Sequence, residues 1–588
     1  MSIFAPRRHT PGFHAGDDLQ AGAALRLDGV RMQAIETGRS RLVVTAMVFL
    51  LAFAAIGARM VDVAVVDRNP PKAHAQPQAR SDELQMERGD ISDRTGVLLA
   101  SSLPTVSLFA RPEDLKIAKV DVENAAIRLV TVLPELDLEE TIERLSSGRQ
   151  FVYLKRNLTP RQQYDVNSLG IPGLLFEKGE RRIYPHGPLA SHAVGVTDVD
   201  NKGVAGIEKR FENALKESRE PLALSLDIRV QTIVRNELAR SIEEFSAVGG
   251  TGMVMDVRTG ELIAMVSMPD FDPNDPPAPT DPSMFNRATK GAYEMGSTFK
   301  LFNTAMVLDN GRANLNSSFD ASKPLVFAGH TIHDDHALNR WLTIPEILIH
   351  SSNIGSARMA LDAGTEVQRA FMARIGMLQA PPLELPEVGA PLVPSPWREI
   401  NTVTISFGHG LSVTPLQLLA GTAALVNGGE YHAPTLLARA PGDAVPAIRV
   451  IKPKTSEAMR QLMRMVVTDG TGKKADVPGY EVGGKTGTAE KVGNGGYRKK
   501  AVLSSFIAAF PMDAPRYAVL MMIDEPQGTK QTYGFITAGW TAAPAAGRVI
   551  AQIAPLLGLM PKTLPIPPST LPKGIARTGG GREVAAVE

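Results

Sequence analysis

The chain has 588 residues, ample for two or more domains that each bury a core of their own. Lys and Arg number 63 against 62 Asp and Glu, and the resulting net charge of +1 argues against a nucleic-acid partner. There is no cysteine, which excludes disulfides, thiol catalysis and cysteine-based metal sites and suits an oxidising compartment.

In chain order, residues 1–41 are polar and carry Arg7, Arg8, Arg26, Arg31, Arg39 and Arg41. Leu42 to Ala58 follows without a charge, roughly 25 Å if helical, which is the short end of a membrane span. Arg59 and Asp62 interrupt it, although a snorkelling Arg59 lets Val63 to Val66 extend it. A transmembrane anchor is expected over 42–62, and the arginines before it place the N-terminus in the cytoplasm. The leader is long for a cleaved signal peptide, so the anchor is expected to stay uncleaved, with everything after it outside the cytoplasm. Residues 63–80 read as a polar, proline-bearing linker.

Residues 81–217 mix short strand-like runs with amphipathic helices. The charges of Arg88-Gly89-Asp90-Ile91-Ser92-Asp93-Arg94-Thr95-Gly96 are spaced for structural ion pairs, and the block shows no nucleophile, metal cluster or phosphate loop, so it is expected to be a non-catalytic pedestal. A second domain is expected over 218–558. Ile228 to Phe245 has helical periodicity, and Gly252 to Met268 reads as a β-hairpin turning at Arg258-Thr259-Gly260-Glu261. Further strands are expected at 504–510 and 517–524, then a terminal helix over 542–554 with Pro544 in its first turn. Strands at both ends of the domain with helices between them predict an α+β fold, one antiparallel sheet flanked by helices. The tail, 559–588, is rich in Pro and Gly and is expected to be disordered.

Ser297 is the only serine in the chain with a lysine, Lys300, three positions later, and an apolar run at helical spacing follows to Leu308. That puts Ser297 at or near a helix N-terminus with Lys300 on the same face, a hydroxyl beside an amine at the positive end of a helix dipole. A surface helix start with an ordinary lysine fits the same residues. Thr343 and Pro345 open a short helix that runs to His350 and ends at Ser351-Ser352-Asn353, with another helix from Ile354. Lys485-Thr486-Gly487-Thr488, entered through Gly483-Gly484, suits a strand edge whose backbone approaches a ligand closely.

Ser-x-x-Lys, Ser-x-Asn and Lys-Thr-Gly, in that order over about 190 residues, resemble the penicillin-recognising serine acyltransferases. RGDISDRTG (88–96), RRIYPHG (181–187), GVAGIE (203–208), VTPLQL (413–418) and KTGTAE (485–490) are similar to segments of class B penicillin-binding proteins, above all the septal transpeptidases of the FtsI type. The resemblance implies that Ser297 attacks the penultimate D-Ala of a peptidoglycan stem and that Lys300, kept neutral by burial and by nearby Lys485, takes its proton. It further implies that Ser351 relays the proton to the leaving amine and that Asn353 holds the substrate amide. Lys485, Thr486, Gly487 and Thr488 then dock the terminal carboxylate, and the N–H groups of Ser297 and Thr488 form an oxyanion hole. Stem peptides, a lipid-linked precursor, β-lactams, the inner membrane, an FtsW-type glycosyltransferase and other divisome membrane proteins are the implied partners, with a periplasmic catalytic domain and no cofactor or metal. Met295, where many relatives carry proline, and His409, in place of a commoner Tyr or Gln, are departures that touch local geometry.

Three histidines and two acids in Gly329-His330-Thr331-Ile332-His333-Asp334-Asp335-His336 are not read as a metal site, because their spacing drifts around a helix and the family resemblance implies a structural loop here. His409 lines the cleft or packs its loop, and Glu294 is expected in a structural ion pair. The alternatives to a septal transpeptidase are an elongation-type enzyme, a D-Ala-D-Ala carboxypeptidase and a catalytically silent divisome scaffold.

Overall fold

The computed structural model describes residues 44, 46–57, 88–218, 220–440, 442–493 and 496–562. The chain divides into two units, residues 1–85 and 86–588. In the first, the described residues 46–57 are helical and exposed. Among the described residues no helix is long and apolar enough to cross a membrane. The remainder of the stretch expected as an anchor, the linker and the tail beyond 562 lie outside the described residues.

The second unit begins with β1 (Ile91–Ser92), β2 (Leu98–Ala110), α1 (Val122–Val132), α2 (Leu138–Ser146), β3 (Val152–Leu158), α3 (Pro160–Ser168) and β4 (Leu174–Ile183). Asp121, Asp137 and Thr159 cap the three helices, each side chain accepting from a first-turn N–H group. β3 and β4 flank β2, and their inward residues Leu108, Ala110 and Leu154 pack on Ala126 and Leu129 of α1 and Leu145 of α2. β5 (Leu222–Ala223) then joins the same sheet, parallel to β1. A second tie crosses at this point: Asp93 Oδ2 accepts from the Ile228 N–H, the first of the next helix.

An ion cluster lies beneath this junction. Arg88 Nε donates to Glu208 at 2.6 Å and Arg182 Nε donates to its other oxygen at 2.7 Å, while Arg88 Nη1 reaches Glu212 at 2.7 Å. Both guanidiniums and the Glu208 carboxylate are at most 1% exposed. Glu208→Ala leaves two buried cations without their shared counter-charge, and is expected to destabilise the protein by about 3–5 kcal/mol in chemical denaturation.

The larger region runs through α4 (Ile228–Glu244), β6 (Gly249–Asp256), β7 (Leu262–Met268), α5 (Lys300–Asp309), α6 (Ile344–Ile349), α7 (Asn353–Ala363), α8 (Pro415–Val426), α9 (Pro453–Thr468), β8 (Gly483–Gly493), β9 (Gly496–Phe510), β10 (Tyr517–Asp524) and α10 (Ala542–Leu556). Its sheet is antiparallel in the order β8-β9-β10-β6-β7, which makes β8 an edge strand. Because side chains alternate across a strand, Val254 and Met521 face one side with Val234 of α4 and Val549 of α10, whereas Met253 and Leu520 face the other with Leu419 of α8 and Leu462 of α9. β10 is buried along its whole length, so both faces of the sheet are covered. The helices expected over 228–245 and 542–554 and the hairpin at 252–268 form within three residues of their expected ends.

Candidate active site

Three backbone segments meet at Ser297 with no room for side chains between them. Gly296 has φ +53, and a Cβ on it would lie 2.7 Å from the Thr488 carbonyl oxygen. Gly408 has φ +91, donates nothing through a side chain, and would place a Cβ 1.9 Å from the Gly296 oxygen. Its own carbonyl accepts from the Gly296 N–H at 3.2 Å. Gly487 of β8 would meet the Met295 oxygen at 2.7 Å. Gly408→Ala must therefore move either the 406–410 loop or the turn that carries Ser297. It is expected to slow acylation by a β-lactam about 10²-fold in a labelling time course.

Ser297 occupies a single 3-10 turn, Gly296–Phe299, and the α-helix proper starts at Lys300. The turn is closed by Thr298, whose hydroxyl donates to the Met295 carbonyl at 2.8 Å. Met295 itself has φ −93 and is 1% exposed, so the side chain that stands in place of proline fills core.

Lys300 is fully buried, and its Nζ lies 2.8 Å from Ser297 Oγ, 2.8 Å from the Ser351 carbonyl, 2.7 Å from Asn353 Oδ1 and 3.1 Å from Ser351 Oγ. The carbonyl and the amide oxygen can only accept. A neutral amine has two N–H groups for those two acceptors, which leaves its lone pair turned to the hydroxyls. Burial favours that form and pushes the Lys300 pKa down to about 7, while Asp334 and Asp335 pull it upward. Burial and the Lys300 charge together hold Lys485 well below the usual lysine range.

Ser351 ends the turn after α6 in the left-handed region, φ +58. Thr343 and Glu346 form the capping box that opens α6, and Ser352 caps α7, so the corner is set by two helix termini. Ser351 Oγ lies between the two lysines, 3.0 Å from Lys485 Nζ. Lys485 also donates to the Thr486 carbonyl at 3.1 Å, and Thr486 Oγ1 pairs with Thr471 at 2.7 Å. The Thr488 hydroxyl accepts from the Ala538 N–H at 3.2 Å. All eight residues singled out by the three motifs thus lie together along β8, the edge strand of the sheet.

Residues outside the motifs complete it. Asp334 accepts from Ser352 Oγ at 2.6 Å and from the Ile354 N–H at 2.9 Å, and the His333 carbonyl accepts from Asn353 Nδ2 at 3.0 Å. No spacing rule links residues 333–334 to 351–354, so the sequence carried no signal for this support. Among the described residues no group of His, Asp or Glu is arranged to hold a metal ion. His409 Nδ1 lies 3.1 Å from Glu294 Oε2, and Glu294 Oε1 accepts from the Gly410 N–H at 2.7 Å. This pair ties the glycine loop to the strand that leads into Ser297.

Comparison with known proteins agrees with this geometry. Residues 250–545 match the penicillin-binding protein transpeptidase domain, and residues 83–221 match the penicillin-binding protein dimerisation domain. A probable peptidoglycan D,D-transpeptidase FtsI of Caulobacter vibrioides is 40% identical over 84% of this chain and 85% of its own length. The peptidoglycan D,D-transpeptidase FtsI of Escherichia coli is 30% identical over 82% of this chain and 86% of its own. Among solved structures, the apo transpeptidase domain of Burkholderia pseudomallei penicillin-binding protein 3 covers 58% of this chain and 98% of its own, at 32% identity and a TM-score of 0.52. A peptidoglycan synthetase of Bifidobacterium adolescentis shares the fold over 81% of this chain and 96% of its own, at 24% identity and a TM-score of 0.63. With the three motifs assembled and both domains matched, the chain belongs to the class B penicillin-binding proteins, the family of the FtsI-type transpeptidases.

Proposed function

We infer that the protein is a serine-type peptidoglycan D,D-transpeptidase that cross-links stem peptides through an acyl-enzyme and is inhibited by β-lactams. The observation that carries this is the buried amine of Lys300, 2.8 Å from Ser297 Oγ with its N–H groups committed elsewhere. In this reading Ser297 adds to the carbonyl of the penultimate D-Ala as its proton passes to Lys300. The tetrahedral oxyanion is held by the N–H groups of Ser297 and Thr488. The C–N bond then breaks, and the terminal D-Ala leaves as an amine protonated through Ser351, whose hydroxyl stands between Lys300 and Lys485. Lys485 with Thr486, Gly487 and Thr488 receives the substrate carboxylate, and Asn353 its amide. An amine of a neighbouring stem attacks the ester and regenerates Ser297.

The domain assignment that goes with this reading is a cytoplasmic segment (1–41), an anchor (42–62), a linker (63–80), a pedestal (81–217), the transpeptidase domain (218–558) and a tail (559–588). The site of action is the periplasmic face of the inner membrane at the division septum, beside an FtsW-type glycosyltransferase and other divisome membrane proteins. The names of the Caulobacter and E. coli relatives support the septal role. Fluorescent penicillin is expected to label the purified protein covalently, and a folded protein that takes up no label would sink the enzyme reading. Depletion is expected to give filaments; round cells would point instead to an elongation enzyme.

A further inference from the structure

We propose that Asp334 is a positioning residue of the acyl-transfer site, holding the Ser351–Asn353 corner from outside the three motifs and setting the charge against which Lys300 works. The proposal rests on the transpeptidase reading above. Asp334 follows a short hairpin, Leu325–Phe327 and His330–Ile332, and reaches the corner with both oxygens. One accepts from Ser352, whose hydroxyl in turn accepts from the Gly355 N–H, and the other accepts from the Ile354 N–H. A carboxylate thereby caps α7 from a distant segment, with bonds that its charge strengthens. The adjacent His333 carbonyl takes the Asn353 Nδ2, which turns Oδ1 towards Lys300.

The same carboxylate has an opposing electrostatic effect. The charged groups acting on Lys300 are Asp334 and Asp335 on this loop, which favour its protonated form, and the neighbouring amine is Lys485 on β8. Asp334 therefore assembles the base's surroundings while resisting the base's loss of a proton. Position and charge separate by substitution. Asp334→Asn keeps an oxygen for the Ile354 N–H but removes the charge. Ser352→Ala keeps the charge but removes two bonds, the one donated to Asp334 and the one accepted from the Gly355 N–H.

The experiment is the second-order rate of acylation by fluorescent penicillin against pH, for wild type and variants, with thermal melts to confirm folding. For Asp334→Asn, the acidic limb is expected to move to lower pH, because Lys300 loses a group that stabilises its cation. For Ser352→Ala, which loses a bond to the charged Asp334 and the cap on the Gly355 N–H, the rate is expected to fall about tenfold or more at every pH with the midpoint unmoved. Asp335→Asn, which breaks none of these bonds, is expected to move the limb in the same direction and stands in if Asp334→Asn does not fold. His330, His333 and His336 are present in every variant and cancel in the comparison. An unmoved limb in the charge variants, or a wild-type rate in Ser352→Ala, overturns the proposal. Wild type that is not labelled at all overturns the transpeptidase reading instead, so the two failures are distinguishable.

Discussion

Ser297→Ala is expected to abolish covalent labelling by fluorescent penicillin while leaving the melting temperature close to that of wild type. Two hydroxyls compete for the role of nucleophile, since Ser297 Oγ lies 2.8 Å and Ser351 Oγ 3.1 Å from the same amine. Their surroundings differ. Ser297 stands on a 3-10 turn at the head of α5, beside N–H groups and the positive end of the helix dipole. Ser351 Oγ is engaged by Lys300 and Lys485 together, which suits a proton carrier between two nitrogens better than an attacking group. Ser351→Ala is therefore expected to label slowly but measurably, and peptide mapping of labelled wild type should place the adduct on Ser297. An adduct on Ser351, or full labelling of Ser297→Ala, would reverse the assignment.

Lys300→Met is expected to slow acylation by about 10²–10⁴-fold, the usual contribution of a positioned general base. The variant keeps a side chain of similar length in a fully buried position, so the loss reads the amine rather than the packing. The pH dependence follows from the lowered pKa. Below about 7 the amine carries a proton and cannot take another from Ser297, so the wild-type rate should climb as pH passes through that value and level off above it. The limb should be missing in Lys300→Met. A wild-type rate that is flat from about pH 6 to 8 would show that another group takes the proton.

Much of the site was legible because its chemistry is local in the chain. Ser297 and Lys300 are one helical turn apart, and Ser351 and Asn353 follow a short helix whose start Thr343 and Pro345 announce. Lys485 to Thr488 follow two glycines into a strand. The helix over 228–244 and the hairpin after it were legible from periodicity for the same reason. What was not legible depends on contacts between distant segments. Nothing in Leu222 and Ala223 says that they pair with Ile91 and Ser92, because two-residue strands have no period. Gly408 reads as a loop glycine until its approach to Gly296 is seen. His409 left two readings open, and its contact with Glu294 shows it linking two segments that flank Ser297. Burial was foreseen as the force that lowers the Lys300 pKa, whereas the opposing pull of Asp334 and Asp335 was not, because their closeness to Lys300 exists only in the folded chain.

The left-handed backbone of Ser351 carries about 1–2 kcal/mol that a glycine at the same φ would not. Glycine there, however, has no hydroxyl to stand between Lys300 and Lys485. Thermostability and turnover therefore pull in opposite directions at this one position. A screen for heat-resistant variants is expected to favour glycine at this position, and a screen for cell-wall synthesis is expected to retain the strained serine.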